Sequence, residues 1–78
     1  MKNWTTDQLC KWIKKLYEKG ILLKDYSNLF RENEYHGRAF ILIDSAEKLE
    51  KLGVKSGSAV ILYEEIKKTG LDDNMQDI

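Results

Sequence analysis

The sequence predicts an all-α fold, a compact bundle of five helices in which the last is the longest, and three observations support it. Apolar residues recur at spacings of three and four between Leu9 and Leu16, as on one face of a helix. The β-prone runs 40–43 and 60–63 do not alternate in polarity and are not flanked by hairpin dipeptides. Glycine followed by an apolar residue is typical of a helix end, and this motif occurs at Gly20, Gly53 and Gly70.

The first helix is predicted to begin after Thr5. Gln8 follows three residues later, which is the spacing of a capping box, and Trp4 is positioned to pack against Leu9 as a hydrophobic staple. A left-handed residue at Gly20 would end this helix and fold the next apolar side chain back onto its last turn.

Three shorter helices are predicted to follow. The second is expected from about Leu23 to Asn33, because three large apolar side chains in it share one face. The third is expected from Ala39 to Ile43 and mostly buried. Asp44, with Glu47 three residues later, is typical of the N-cap of a fourth helix that ends at Gly53.

The fifth helix is predicted to begin near Ser56 and to end at Gly70. Its inner face is expected to carry Ala59, Leu62, Tyr63 and Ile66. Residues 1–70 would form one helical domain. Residues 71–78 are polar and acidic, and are therefore predicted to be a flexible tail or linker.

Composition argues against several functional classes. One cysteine cannot form an intrachain disulfide, and together with one histidine it cannot supply four zinc ligands, so neither a metal nor a cofactor is expected. Cys10 and His36 are the available nucleophile and imidazole, and no motif supplies a third group to orient them, so the chain is predicted not to be an enzyme. Cys10 is expected to be half-buried and His36 to lie in a turn.

Charge and hydropathy indicate the expected compartment. The apolar runs are too short to cross a bilayer, and no secretory pattern opens the chain, so an intracellular protein, cytoplasmic or nuclear, is expected. Lys and Arg number 13 against 13 Asp and Glu, which removes the strong field of a typical nucleic-acid binder. Neither a small-molecule substrate, a nucleic acid nor a membrane is the expected partner.

The order of these landmarks resembles the sterile alpha motif (SAM) domain, a five-helix bundle. The resemblance extends from Trp4 to about Thr69 and is carried by Trp4–Thr5, Leu9–Ile13, Tyr26–Asn33, Gly37–Ile41, Leu49–Val54 and Gly57–Leu62.

Some positions depart from the usual SAM pattern. The loop from Gly20 to Tyr26 is longer, and His36 stands where the family often has an acidic residue. The start of the last helix usually carries Arg or Lys but here reads Ser58–Ile61, which looks more like the Polycomb-type and related branch of the family.

The resemblance implies a protein–protein interaction module within a larger signalling or scaffold protein, with another SAM domain, of the same or a different protein, as the expected partner. SAM domains join two unlike surfaces head to tail into dimers or open polymers. The end-helix surface would comprise Lys51, Gly53, Lys55, Ser56, Gly57, Ser58 and Ile61. The mid-loop surface would comprise Asp25, Glu32, Glu34, Asp44 and Glu47.

Other interpretations remain open at the level of sequence. A lysine-rich side of the first helix, formed by Lys11, Lys14, Lys15 and Lys19, could bind nucleic acid or anionic lipid, or simply be solvated. Ile61 could be an isolated exposed apolar residue, and the carboxylates an ordinary solvated face. The domain could also be a monomeric spacer. Trp4 and Trp12 are interpreted as staple and core residues rather than as a ligand-stacking pair.

Overall fold

Five helices follow one another along the part of the chain that the computed structural model describes, which is residues 2–71. They are α1 (Thr6–Glu18), α2 (Ser27–Glu32), α3 (Gly37–Ile41), α4 (Ala46–Leu52) and α5 (Ser56–Leu71). No strand occurs among these residues. The predicted all-helical class, the five helices and the long last helix are therefore confirmed. The predicted tail, apart from Leu71, lies outside the described residues.

Helix α1 begins and ends as the sequence predicts. The Thr5 hydroxyl accepts from the Gln8 N–H at 3.2 Å and the Gln8 side-chain oxygen accepts from the Thr5 N–H at 2.8 Å, which completes the capping box. At the other end Gly20 has φ +82°, and the Ile21 N–H donates to the Leu16 carbonyl at 2.9 Å. Both ends of the helix thus satisfy backbone groups that would otherwise lack partners.

Helix α2 is shorter than expected, because it begins at Ser27 rather than near Leu23. The Asp25 carboxylate accepts from the Ser27 N–H at 2.9 Å, a local bond that competes with helical continuation. Leu22 is fully buried while Leu23 is 88% exposed, so the connection from α1 anchors itself in the core through one side chain.

Helices α3 and α4 also have shifted boundaries. α3 is Gly37–Ile41 rather than Ala39–Ile43, and Leu42 is 70% exposed, so the expectation of a mostly buried third segment fails at this residue. The N-cap of α4 is Ser45, not Asp44, and the side chain of Ser45 makes no capping bond. The Asp44 carboxylate pairs with Lys48 at 3.0 Å instead.

The last predicted helix end is wrong. α4 ends at Gly53 as expected, but α5 continues through Gly70 to Leu71. The predicted inner face is confirmed for Ala59, Leu62 and Ile66, which are buried, and Tyr63 is half-buried with its hydroxyl donating to the Asp44 carbonyl at 2.8 Å.

An aromatic chain runs through the core and joins the short helices to α1. The Trp12 ring meets Phe40 at 5.8 Å between centroids, Phe40 meets Phe30 at 5.2 Å, and Phe30 meets Tyr35 at 5.5 Å, each pair edge to face. Trp4 continues the chain beside Trp12, and its carbonyl accepts from the Gly37 N–H at 2.9 Å. Trp4 and Trp12 are thus packed against the core, as predicted.

Candidate protein-interaction surfaces

The turn between α4 and α5 fixes the position of the predicted end-helix surface. Gly53 has φ +129°, and the Val54 N–H donates to the Leu49 carbonyl at 3.0 Å, which closes the end of α4. Val54 is buried, so the chain is held on both sides of the turn. The first turn of α5 therefore leaves the core at a fixed angle.

The first turn of α5 presents polar groups to solvent. Ser56 and Gly57 are exposed and Ser58 is half-buried. The first N–H groups of a helix have no acceptor within it, and the helix dipole is positive there, so this end favours a carboxylate. Lys55, which precedes the helix, is exposed and has no ion-pair partner among residues 2–71, although its backbone N–H donates to the Tyr26 hydroxyl at 3.4 Å.

Two apolar side chains lie beside this polar turn. Val60 is 56% exposed and Ile61 is 40% exposed, whereas Ala59 and Leu62 on either side of them are fully buried. The helix therefore has an apolar core face and a second, smaller apolar patch on its solvent side. The sequence predicted exposure of Ile61 and half-exposure of Val60, and both residues are indeed exposed.

The predicted acidic residues occupy different parts of the fold. Asp25 and Glu32 line one shallow groove of about 260 Å³ that also includes Gly53, a member of the end-helix set. Glu34 lies in the turn after α2 with φ +59°, and is exposed. The structure thus brings Asp25 and Glu32 next to the end-helix surface.

The remaining two carboxylates lie at the start of α4. The Asp44 carboxylate is 3.0 Å from the Lys48 ammonium, and this hydrogen-bonded lysine lowers the pKa of Asp44. The Glu47 carboxylate is 3.6 Å from the ammonium of Lys51, which was predicted to belong to the opposite surface. Carboxylates of the predicted mid-loop surface and a lysine of the predicted end-helix surface therefore lie within two turns of each other along α4.

The lysines of α1 are exposed on the outer side of that helix. Lys11, Lys14, Lys15 and Lys19 have no ion-pair partner among the described residues. A shallow groove of about 310 Å³ between Lys11 and Lys15 has the rings of Trp4 and Trp12 in its lining. Nothing in the sequence pattern indicated this groove, because a staple residue and a core residue were expected to be covered.

Cys10 is buried rather than half-buried. Its Sγ–H donates to the Ser27 carbonyl at 3.3 Å, and burial raises the pKa of the thiol. The thiol is therefore held protonated and packed. His36 is exposed just before α3. No group of three or more metal-ligating side chains occurs within residues 2–71, and no helix in that range is long and apolar enough to cross a bilayer.

Comparison with known proteins agrees with the helical architecture. The family described as SAM domain (sterile alpha motif) matches residues 1–60, from the start of the chain into α5. No solved structure matches the chain. SAM domains generally mediate protein–protein interaction, include other SAM domains among their partners, and are typically non-catalytic. Because the match covers most of the sequence and the fold has the expected five helices, the chain belongs to the sterile alpha motif family.

Proposed function

We propose that this domain is a non-catalytic module that associates head to tail with another SAM domain, either a second copy or that of a different protein. The observation that carries the proposal is the exposed pair Val60 and Ile61 beside the open first turn of α5. Together they combine apolar area with unsatisfied N–H groups, which is the composition of a small protein-binding surface.

The end-helix surface would bind a carboxylate of the partner. That carboxylate would accept from N–H groups of the first turn of α5, and the ammonium of Lys55, which has no ion-pair partner among residues 2–71, would add attraction. Val60 and Ile61 would then be covered by apolar atoms of the partner. In this respect the surface resembles the Polycomb-type branch, since Ser58–Ile61 offers apolar contact where other SAM domains carry basic residues.

The mid-loop surface would supply the carboxylate. Asp44 is the best-placed carboxylate of the predicted set, because it is exposed, has a lowered pKa and lies beside Lys48 at the end of α4 that is distant from Gly53. Exposed ion pairs contribute about 0–1 kcal/mol each, so the charges would chiefly set the register and the rate of association. The apolar pair would contribute most of the affinity.

The test is the mass of the chain by light scattering across a concentration series, with Ile61→Lys and Asp44→Lys as the two variants. We expect the wild-type mass to rise with concentration and each variant to reduce it. Mixed variants retain one intact surface each, so they should form a dimer and grow no further.

Leu23→Lys is the matched control for Ile61→Lys, because Leu23 is an exposed apolar residue outside both surfaces. Glu18→Lys plays the same role for Asp44→Lys, since Glu18 is exposed on α1. Neither control should change the assembly. A wild-type chain that stays monomeric at the highest concentration would rule out self-association, and a mixture that polymerises would show that the two surfaces are wrongly assigned.

A second candidate is binding of nucleic acid or anionic lipid by the lysines of α1. The observation in its favour is that all four lysines of this face lack an ion-pair partner among residues 2–71. Binding to RNA or to anionic vesicles should then disappear with added salt and with Lys11→Gln, Lys14→Gln and Lys15→Gln together. Binding that survives this triple substitution would exclude the face.

A further inference from the structure

Leu42 is an exposed apolar residue close to Asp44, and it belongs to neither of the two surfaces described above. It is 70% exposed, whereas Ile43 between the two residues is buried, so Leu42 and Asp44 both lie on the solvent side of the chain. Two consecutive peptide units place their Cα atoms at most about 8 Å apart. A partner that binds the Asp44 carboxylate therefore also meets an apolar side chain.

The segment that carries Leu42 is fixed to the fold on both sides. The Ile43 N–H donates to the Phe40 carbonyl at 3.2 Å, and the Ile43 side chain is buried in the core. The Asp44 carbonyl accepts from the Tyr63 hydroxyl at 2.8 Å. Because these contacts already order the backbone, a partner that binds here pays little conformational entropy.

A positive charge lies beside Leu42, four residues earlier in the chain. Arg38 is exposed and has no ion-pair partner among residues 2–71. Arg38 and Leu42 line one shallow groove of about 440 Å³, and Asp44 is not part of its lining. The other residues of the groove are Lys2, Asn3 and Ile41. In chain order this surface therefore presents a cation, an apolar side chain and a carboxylate.

The start of α5 presents the same three kinds of group in the same order. Its first turn is the positive end of the helix dipole, the exposed Val60 and Ile61 follow, and the exposed Glu64 comes one turn after Val60. The helical rise places Ser56, Val60 and Glu64 about 6 Å apart in succession. Glu64 lies 3.4 Å from the Lys67 ammonium, and an exposed pair of this kind is readily exchanged for another cation.

Leu42 is the best apolar counterpart for Val60 and Ile61 that the described chain offers. The exposed large apolar side chains within residues 2–71 are Tyr17, Leu23, Leu42, Val60 and Ile61. Tyr17 lies on α1 with the lysines of that helix. Leu23 precedes Asp25, which lines the groove beside Gly53 of the end-helix surface. Leu42 is therefore the one beside a carboxylate that lies apart from that surface.

We propose that the partner is a second copy of this chain, whose Arg38, Leu42 and Asp44 lie antiparallel on the start of α5. The Asp44 carboxylate accepts from N–H groups of the first turn, and Leu42 covers the exposed apolar pair of α5. Arg38 pairs with Glu64. The inference rests on the proposed function, since it names the partner and further contact residues of the same assembly. An antiparallel arrangement sets each charge against its opposite, and both halves are present in one chain, which favours a copy over an unrelated protein.

Two capped chains isolate one such interface for isothermal titration calorimetry. The first chain carries Ile61→Lys and contributes its mid-loop surface, and the second carries Asp44→Lys and contributes its end-helix surface. Leu42→Lys added to the first chain should weaken binding by about tenfold or more, because it places a charge against apolar side chains. The same substitution added to the second chain should leave Kd unchanged, which controls for its effect on folding.

A charge reversal tests the third contact. Arg38→Glu on the first chain, or Glu64→Lys on the second, should weaken binding about three- to tenfold, because like charges then face each other. With both present, Kd should return to within about threefold of the capped pair. Lys14→Glu on the first chain and Glu18→Lys on the second are the matched controls, since both residues are exposed on α1, and neither should change Kd.

The outcomes distinguish this inference from the proposed function. A capped pair that does not bind overturns self-association and this arrangement together. A capped pair that binds with the same Kd when either Leu42→Lys or Arg38→Glu is present on the first chain overturns this arrangement alone. Weakening by Leu42→Lys on the second chain also overturns it, because the effect then arises from the fold and not from the contact.

Discussion

The two glycines that end α1 and α4 differ in the backbone that they adopt, and this difference predicts unequal effects of the same substitution. Gly20 has φ +82°, near the left-handed region that L-residues visit at a cost of about 1–2 kcal/mol. Gly53 has φ +129°, well outside that region, where strained backbone costs about 1–3 kcal/mol for a residue with a side chain. An alanine at Gly53 should therefore destabilise the fold more than an alanine at Gly20.

The space around each glycine does not change the order of the two expected losses of stability. A Cβ atom at Gly20 meets no atom within 4 Å, and one at Gly53 lies 3.5 Å from two methyl carbons of Leu29, which is an ordinary contact. Alanine also reduces the entropy of the unfolded chain, which offsets about 0.4–1 kcal/mol at both sites. With the middle of each range, the free energy of unfolding should fall by about 0.8 kcal/mol for Gly20→Ala and by about 1.3 kcal/mol for Gly53→Ala.

Thermal unfolding followed by circular dichroism measures both effects. For a domain of this size, 1 kcal/mol corresponds to roughly 4–8 °C in Tm, so Gly53→Ala should lower Tm by about 5–10 °C. Gly57→Ala is the control, because Gly57 is helical with open space around it, and alanine there should keep or raise Tm. Equal Tm values for the Gly20 and Gly53 variants, or a Gly53 variant as stable as the wild type, would refute the reasoning.

Two further predictions concern ionisable groups. Cys10 should react with Ellman's reagent at pH about 8 more slowly in the folded chain than in urea, by about tenfold or more, because burial raises its pKa and blocks access; equal rates would contradict its buried position. The Asp44 carboxyl should titrate below its ordinary pKa, so its contribution to stability is present above about pH 3.9 and is lost as pH falls through the lower, folded value. An NMR titration should show this midpoint return to the ordinary range in Lys48→Gln, and an unchanged midpoint would contradict the pairing.

Local signals in the sequence predicted the fold well where the chain must turn back on itself. The capping box at Thr5 was correct, at the start of the first helix. The glycine ends at Gly20 and Gly53 were also correct, and each lies between two helices that pack together. The same motif failed at Gly70. Glycine permits a left-handed turn but does not impose one, and α5 extends one residue past Gly70, to Leu71.

Boundaries set by core packing and by side-chain bonds to the backbone could not be predicted in this way. Helix α2 starts late because Leu22 is required in the core and Asp25 binds the Ser27 N–H, and neither fact has a periodic signature. Leu42 is exposed because α3 ends at Ile41, which allows Ile43 to be buried instead. For the candidate site, helical periodicity predicted that Ile61 is exposed. It did not predict the groove that Asp25 and Gly53 line together, because these residues come from different parts of the chain.

That groove restricts how two domains can associate. Head-to-tail assembly requires two separate surfaces on each molecule, one for each neighbour. Asp25 and Glu32 line the groove beside Gly53, together with Lys24, so these two carboxylates lie too close to the end-helix surface to form the separate second surface of the same molecule. Glu47 is already held by Lys51 within one turn of that surface. Asp44 remains as the exposed carboxylate at the opposite end of α4, about 10 Å away by the rise of a seven-residue helix. Asp44 and Glu34 are therefore the two residues of the acidic set that neither line the groove beside Gly53 nor pair with a lysine of the end-helix set, and reversing the charge of Asp44 should weaken the mid-loop contact.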